Sequence, residues 1–196
     1  MSHADRRTQI LDVALSAFSA RGYHNTSMNE IADAMSLTKP VLYQYFDSKR
    51  SLYLELLRHV GAQLVGDVTG AVSGTSDPRE QTERGMIAYF TWVHTHREAF
   101  ALLFESSARV DEEFADIVSE FEDAAARAIA PFIAVDAPED NLYTFAIGLV
   151  GMAEAVSRQV IRHGREFEPR VLGTTVAGLA WAGLRSLGQS RNDQPR

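Results

Sequence analysis

Side chains that donate hydrogen bonds are concentrated between residues 26 and 49, in the segment TSMNEIADAMSLTKPVLYQYFDSK. Hydroxyl, amide and ammonium groups of this kind suit the phosphate oxygens and base edges of DNA. No Ser-His-Asp order, glycine-rich phosphate loop or paired-carboxylate motif stands out elsewhere in the chain, so catalysis has no specific support. The segment therefore makes DNA binding the candidate function.

The apolar residues of this segment predict two short helices that cross at a tight turn. Ser27 and Glu30 have the spacing of a capping box, which starts a helix near Met28. One continuous helix would not need this pattern of apolar positions. These positions are Ile31, Ala32, Met35, Leu37, Leu42 and Tyr45.

The second helix of the pair is predicted to be about two turns long. Thr38 is its expected N-cap, and Pro40 falls in the first turn, where a missing N–H costs nothing. Ser48 then caps a third, longer helix that begins with Lys49. A short, capped helix is what a major groove accommodates.

The pattern resembles the N-terminal region of the TetR family of bacterial transcriptional regulators. The resemblance implies an all-α fold of about nine helices, with a three-helix helix-turn-helix head and a helical ligand-binding and dimerisation body. We expect residues 1–48 to be the DNA-binding domain, 49–188 the effector-binding and dimerisation domain, and 189–196 a polar tail. The resemblance rests on Ile10, Phe18, Gly22, Tyr23, Thr26, Ser27, Ile31, Ala32, Leu42, Tyr43, Tyr45, Phe46, Ser48 and Lys49.

The resemblance assigns DNA-binding roles to individual residues. Lys39 and Gln44 are the expected base readers, because lysine can bond guanine and glutamine can bond adenine in two places. Thr26, Ser27, Tyr43 and Lys49 are the expected phosphate contacts. The remaining candidates in the second helix are Thr38, Pro40, Val41 and Tyr45.

Two residues depart from the family pattern. Ser36 stands in the turn where the family usually has glycine, and a positive φ there would cost serine roughly 1 kcal/mol. Val41 stands where the family commonly has a hydroxyl residue, so it can contact a thymine methyl but cannot donate a hydrogen bond.

Three further side chains near the head have two interpretations each. Arg6 and Arg7 are either contacts to the DNA backbone or minor groove, or solvated charges. Tyr45 is either an edge contact to DNA or a ring packed beneath its helix.

Charge is distributed unevenly along the chain. Through His59 the chain carries seven Lys plus Arg and six Asp plus Glu, so almost all of the net charge of −7 lies beyond that residue. An acidic body makes nonspecific attraction to DNA weak, so affinity should depend on a few placed donors and on salt. The pI near 5.3 argues against a generic polycation.

Small residues recur in the last two helices, predicted over residues 141–163 and 168–187. Glycine in a helix interior costs about 1 kcal/mol relative to alanine, so close helix approach is the expected reason for them. The resemblance implies a homodimer formed by these helices, which would match a pseudo-palindromic operator; packing within one chain is the alternative. The expected interface residues are Leu149, Val156, Leu172, Val176, Leu179, Trp181 and Leu184.

Large apolar rings dominate the middle of the chain and are either core or the lining of an effector pocket. Because no buried-looking charge cluster accompanies them, we expect a small hydrophobic effector such as an acyl chain or an aromatic compound. The expected lining residues are Tyr89, Trp92, Phe104, Phe121, Phe145 and Met152.

Several other chemistries are disfavoured. The chain has no cysteine, so disulfides and thiolate sites are excluded. His94 and His96 point to opposite sides of a helix, which is poor geometry for a metal. Glu154 and Arg158 have ion-pair spacing, the alternative being a polar tag in the pocket. No signal peptide stands out, and the apolar run 142–153 is shorter than the about 20 residues of a membrane span.

These observations predict a cytoplasmic, ligand-responsive transcriptional regulator without metal or cofactor. We expect a repressor that a hydrophobic effector releases from its operator by shifting the fourth helix. A helical small-molecule carrier or sensor with no DNA role is the alternative, and an enzyme with an apolar cavity is a third, weaker one.

Overall fold

A computed structural model describes residues 2–104, 112–135 and 137–189, without the side chains of 112, 113 and 187–189. Within these ranges the chain forms nine α-helices and one 3₁₀ turn, with no strand, which confirms the all-α prediction. The helices are α1 (His3–Asn25), α2 (Met28–Ala34), α3 (Lys39–Tyr43), α4 (Lys49–Val72), α5 (Pro78–Thr95), α6 (Arg97–Phe104), α7 (Glu112–Ile129), α8 (Glu139–Arg162) and α9 (Pro169–Gln189).

The first two helices follow their capping signals. The α1 helix contains a break at Gly22, where φ is 77°, at the residue that the sequence marks as its end. The predicted capping box of α2 is confirmed, because the Ser27 hydroxyl accepts from the Glu30 N–H and the Glu30 carboxylate accepts from the Ser27 N–H.

The α3 helix is shorter than the predicted two turns. Thr38 occupies the N-cap position, as predicted, but its hydroxyl makes no capping hydrogen bond. At the other end, the amides of Gln44 and Tyr45 bond carbonyls three residues earlier, which tightens the chain into a turn. The helix therefore has five residues and ends before Gln44.

The entry to α4 is confirmed and its exit differs. Ser48 and Ser51 cap each other, with the hydroxyl of each accepting from the amide of the other. The stretch 70–78, rich in glycine and serine, suggests a loop, but Gly70 continues the helix and the loop begins only after Val72. Pro78 opens α5, as its place at the end of this stretch suggests, and the Asp77 side chain caps the helix.

The last two helices match their predicted bounds to within two residues. Gly164, with φ of 59°, follows the end of α8. In α9, a Cβ at Gly173 would lie 2.7 Å from the Cα of Ile87, so this glycine permits α5 and α9 to pack closely. Residues 190–196 of the predicted polar tail lie outside the described residues.

Packing divides the chain into two compact units that differ from the division at residue 48. The first unit comprises Met1–Ala62 with Arg97–Phe121, and the second Gln63–His96 with Glu122–Arg196. The first unit is larger than the predicted head because α6 and α7 contribute to its core. Phe114, for example, packs edge-on against Tyr23 and Tyr53. The boundary at residue 48 stays a prediction about function.

One helix in the described part of the chain, α8, is long and apolar enough to cross a membrane by length and composition alone. The expectation that no segment reaches that length was therefore wrong for α8 by this measure. Within the molecule, 22% of its apolar window is buried. A single such helix is weak evidence, because core helices and signal sequences can meet the same criterion.

Ser36 in the turn between α2 and α3 has a φ of 55°, as its place in the pattern suggested. We expect Ser36→Gly to raise the free energy of unfolding by about 1 kcal/mol, because glycine adopts positive φ without steric cost. Urea denaturation would measure the change. Ser36→Ala is the control and should not raise the free energy of unfolding, since alanine keeps the Cβ. A Ser36→Gly protein no more stable than the Ser36→Ala protein would contradict backbone strain at this residue.

Candidate DNA-recognition site

The turn between α2 and α3 is held by buried apolar side chains and one backbone hydrogen bond. Ile31 and Leu42 are fully buried, and Ala32 is 1% exposed, so α2 and α3 can lie close together. The amide of Leu37 donates to the Ala32 carbonyl at 2.9 Å and closes the turn. These contacts fix the apolar side of α3 and leave the opposite side facing outward.

The outward side of α3 carries the predicted base readers. Lys39, Pro40 and Gln44 are exposed, Val41 is half-buried, and 39% of Tyr43 is exposed. The ammonium of Lys39 lies 5.8 Å from the centre of the Tyr43 ring. The structure thus brings most of the predicted contacts onto one exposed surface, and their base-reading roles stay predictions.

A surface cleft of about 380 Å³ lies beside α3. Residues from the end of α1, the start of α2, α3 and the start of α4 form its walls, so it joins all four helices of the head. Its mostly polar lining residues suit a strand of phosphodiester backbone. The lining residues are His24, Asn25, Thr26, Ser27, Met28, Asn29, Lys39, Tyr43 and Lys49.

Lys49 connects the start of α4 to the end of α1. Its ammonium donates to the carbonyl of Tyr23 at 2.8 Å and to that of His24 at 3.4 Å, and it lies 4.5 Å from the centre of the Tyr23 ring. Lysine has three donor hydrogens, so two carbonyls leave one that can face the cleft. The structural role is therefore compatible with a phosphate contact.

Thr26 is placed differently from the other expected phosphate contacts. Its side chain is 2% exposed, and its hydroxyl lies 2.8 Å from the Gly22 carbonyl and 3.2 Å from that of Ala17. The hydroxyl hydrogen is therefore directed to the end of α1. The predicted phosphate contact of Thr26 stays untested, and this geometry favours a structural role.

The structure places Arg6, Arg7 and Tyr45, each of which has two interpretations from the sequence, in different surroundings. Arg6 is half-buried near the start of α1, and its Nη1 donates to Gln9 Oε1 at 3.4 Å. Arg7 is engaged by Glu55 and by the Tyr45 carbonyl. Tyr45 is half-buried and its ring stacks on that of His3, with centroids 4.5 Å apart. Packing thus accounts for Tyr45 and Arg7, whereas Arg6 remains available to DNA.

Three polar residues of the cleft were not among the predicted contacts: His24, Asn25 and Asn29. They flank Ser27, the N-cap of α2, so the capping signal in the sequence marked the position of this cleft.

The capping box also shifts a pKa. Hydrogen bonds from Ser27, first from its backbone and then from its hydroxyl, lower the pKa of Glu30. The stability that the ionised Glu30 gives to the cap is therefore present at neutral pH and is lost as the pH falls through this lowered pKa.

The six expected effector contacts are distributed over both packing units. Tyr89, Trp92 and Phe104 are buried, whereas the other three are half-buried. Phe104 and Phe121 belong to the first unit, where their ring centroids are 6.0 Å apart. The second unit contains Tyr89, Trp92, Phe145 and Met152. Their role as a common lining stays a prediction.

The polar residues of the second unit form local interactions. Arg158 Nε lies 3.3 Å from Glu154 Oε1, which confirms the ion pair, and Glu154 is 6% exposed. The Ser157 hydroxyl, one turn along α8, is fully buried and has no hydrogen-bond partner among the described residues. His96 stacks on Trp92. No cluster of three metal-ligating residues occurs in the described ranges.

The expected dimer residues separate into buried and exposed groups. Val176 and Leu184 are buried within their own chain, and Leu149 packs against the same cluster as Leu184. Leu179, by contrast, is 69% exposed. Leu172, Val156 and Trp181 are half-buried. Within-chain packing therefore accounts for part of the predicted set.

The sequence analysis missed two exposed apolar residues on the same helices, Ile147 and Val171, with 48% and 65% exposure. The sequence contains a signal for this placement: Ile147 precedes Gly151 by one turn, and Val171 precedes Gly178 by two turns. Each apolar residue therefore shares a helix face with small residues. A Cβ added at Gly148, Gly151, Gly178 or Gly183 would meet nothing within 4 Å. These four glycines therefore have no packing reason within the described residues.

Comparison with known proteins identifies the class. Residues 10–56 match the family model described as bacterial regulatory proteins, tetR family, and residues 78–183 match a tetracyclin repressor-like C-terminal domain. Together these matches cover most of the chain. The protein therefore belongs to the TetR family of DNA-binding transcriptional regulators, as the resemblance in its head had indicated.

Individual relatives have different regulatory roles. The chain is 30% identical over 190 residues, 96% of its length and 87% of the other protein, to the transcriptional activator FasR of Mycolicibacterium smegmatis. It is 33% identical over 97 residues to the repressor KstR2 of Rhodococcus jostii, a match that spans 50% of this chain and 48% of KstR2.

Solved structures support the fold. FadR of Bacillus subtilis, solved in complex with stearoyl-CoA, aligns with a TM-score of 0.78 over 90% of this chain and 98% of its own. The two sequences are 13% identical, so this likeness concerns the fold alone.

Proposed function

We propose that this protein is a cytoplasmic homodimeric repressor that a small hydrophobic effector releases from a pseudo-palindromic operator. The observation that carries the proposal is the outward side of α3, with Lys39 and Gln44 exposed beside a polar cleft. An α-helix of this width fits the major groove, and a neighbouring cleft with lysine and hydroxyl donors suits the adjacent phosphates.

The charge distribution supports specific rather than general DNA binding. The head is nearly neutral and the rest of the chain is acidic, so the general attraction of the whole protein to DNA is weak. Base contacts by Lys39 and Gln44 therefore have to provide much of the discrimination, each worth about 1–3 kcal/mol at its base pair.

The aromatic content of the body supports a hydrophobic effector. Tyr89 and Trp92 are buried in the second unit, and stearoyl-CoA, which carries a long acyl chain, occupies FadR. Pockets for such ligands are mainly apolar with a few polar groups, and Ser157 and Glu154 are buried polar groups of α8. To release DNA, the effector must prefer the arrangement in which the two recognition helices no longer match the half-sites.

The exposed apolar residues of α8 and α9 support a homodimer. Three large apolar side chains on these helices are exposed to solvent: Leu179, Val171 and Ile147. The glycines beside them leave room for the backbone of a partner. A second copy of the chain would cover this face through a twofold axis. The same contact explains why α8 is apolar without crossing a membrane.

The proposal of a repressor follows from release by an effector and agrees with the role of KstR2. FasR is an activator, which shows that the same family also provides positive regulators. Operator position decides between them, because a dimer bound across a promoter excludes polymerase whereas one bound upstream can recruit it.

Gel-shift assays with the DNA that flanks the gene test the proposal. We expect sequence-dependent binding that weakens steeply with salt, because phosphate contacts release counterions. Lys39→Ala and Gln44→Ala should each cost about 1–3 kcal/mol and relax discrimination at one base pair. Saturated acyl compounds and aromatic compounds should raise the melting temperature and release the DNA.

Ser76→Ala, at an exposed site in the loop before α5, is the control for these variants and should bind DNA as the wild type does. Absence of any salt-sensitive, sequence-dependent binding to genomic fragments would contradict the DNA-binding role. Binding that no lipophile alters would contradict the effector class, and higher transcription from a reporter in the presence of the protein would contradict repression.

Leu179→Arg should convert the dimer to a monomer in sedimentation experiments. Twofold symmetry removes two buried leucines at once, each worth about 1.5–3 kcal/mol, so dimer affinity should fall by well over tenfold. Ser76→Arg, which adds the same charge in the exposed loop before α5, should leave the dimer intact. A Leu179→Arg protein that stays dimeric would show that this face is not the interface.

A further inference from the structure

The guanidinium of Arg7 connects three elements of the head. Its Nε donates to Glu55 Oε1 at 2.5 Å, and its Nη2 donates to the other oxygen of the same carboxylate. Its Nη1 donates to the carbonyl of Tyr45 at 2.5 Å. The guanidinium carbon also lies 4.3 Å from the centre of the Phe46 ring. Arg7 belongs to α1, Glu55 to α4, and Tyr45 and Phe46 to the turn that ends α3.

This arrangement uses the particular geometry of arginine. The forked pair with Glu55 and the third bond to a carbonyl need a planar group with donors in fixed directions, which lysine does not have. The Glu55 carboxylate also raises the pKa of Arg7, so the group stays charged throughout the physiological range. Three of the five guanidinium N–H donors are therefore directed to protein oxygens, and the Arg7 side chain is 35% exposed.

The position of α3 depends on contacts of this kind because the helix is too short to be stable alone. Isolated helices of fewer than about 12 residues are marginal in water, and α3 has five. Leu42 and Phe46 hold its apolar side, being 0% and 2% exposed. The contact from Arg7 to the Tyr45 carbonyl is the charged hydrogen bond that fixes the end of the segment.

Glu55 extends this connection to α4. That helix begins in the first packing unit and ends in the second, so a change in the body can reach the head along it. When Glu55 moves, the forked pair must either carry the Tyr45 carbonyl with it or break. Either result changes the placement of Lys39 and Gln44.

We propose that Arg7 is a positioning residue that ties the end of α3 to α4, and that it contacts no DNA itself. This inference rests on the proposed DNA-binding function and names the side chain that sets the placement of the recognition helix. It replaces both earlier interpretations of Arg7, as a contact to DNA and as a solvated charge.

The test compares Arg7→Ala, Arg7→Lys and Glu55→Gln with the neighbouring Arg6→Ala. Dissociation constants are measured for the operator fragment found by gel shift and for a random duplex, over a range of salt concentrations. Each Arg7 variant should weaken operator binding about tenfold, because charged hydrogen bonds are lost, and should weaken random binding much less. The slope of log affinity against log salt should not change, because no phosphate contact is lost.

Two further results are expected if Arg7 acts through Glu55. Glu55→Gln should weaken operator binding as Arg7→Ala does, although it removes a negative charge rather than a positive one. The double variant should bind no more weakly than either single variant, because both remove the same connection. Arg6→Ala removes the same charge from a neighbouring, half-buried residue that is not bonded to Glu55 and should preserve the ratio of operator to random affinity.

Three outcomes would overturn the proposal. A salt slope reduced by about 0.9 for each Arg7 lost, with operator and random binding weakened equally, would make Arg7 a phosphate contact. Unchanged operator affinity together with a lower melting temperature would make it a purely structural residue. A wild-type protein that binds no DNA would remove the proposed function and this role with it, whereas the first two outcomes leave the proposed function standing.

Discussion

The recognition helix cannot form by itself, and the organisation of the head follows from that constraint. Five residues provide too few backbone hydrogen bonds to offset the entropy lost in forming them. Its conformation must therefore come from neighbours: Leu42 packed against α2, Phe46 packed beneath the turn, and Arg7 bonded to the carbonyl of Tyr45. A helix stabilised from one side has its other side free for DNA.

The same constraint connects recognition to regulation. Because α3 has no independent stability, its placement follows the elements that hold it, and α4 is the one that continues into the second unit. Lys49 at the start of α4 and Glu55 one and a half turns later bond to the end of α1 and to Arg7. In the proposed function, an effector that moves α4 alone would alter the separation of two half-site readers, and a groove tolerates small errors in that separation poorly.

The sequence predicted the parts of the molecule that local chemistry determines. Capping signals located the starts of α2 and α4, Pro78 located that of α5, and the position of Ser36 in the turn indicated its positive φ. Contacts between residues far apart in the sequence could not be predicted in this way. Nothing near Arg7 in the sequence indicates Glu55, which is 48 residues away, and the burial of Thr26 depends on the end of α1. Val176 and Leu179 are both apolar residues of α9, and only the neighbouring helices decide that one is buried and the other exposed.

Amide hydrogen exchange of the free protein tests most directly whether the recognition helix is formed in advance by its neighbours. The amides of Leu42 and Phe46 bond the carbonyls of Thr38 and Leu42 at 3.2 Å within a buried segment. We expect them to exchange as slowly as buried amides of α1, because opening α3 requires disruption of the same core. Exchange of these two amides at the rate of an unfolded chain, with protection only after DNA is added, would contradict the account.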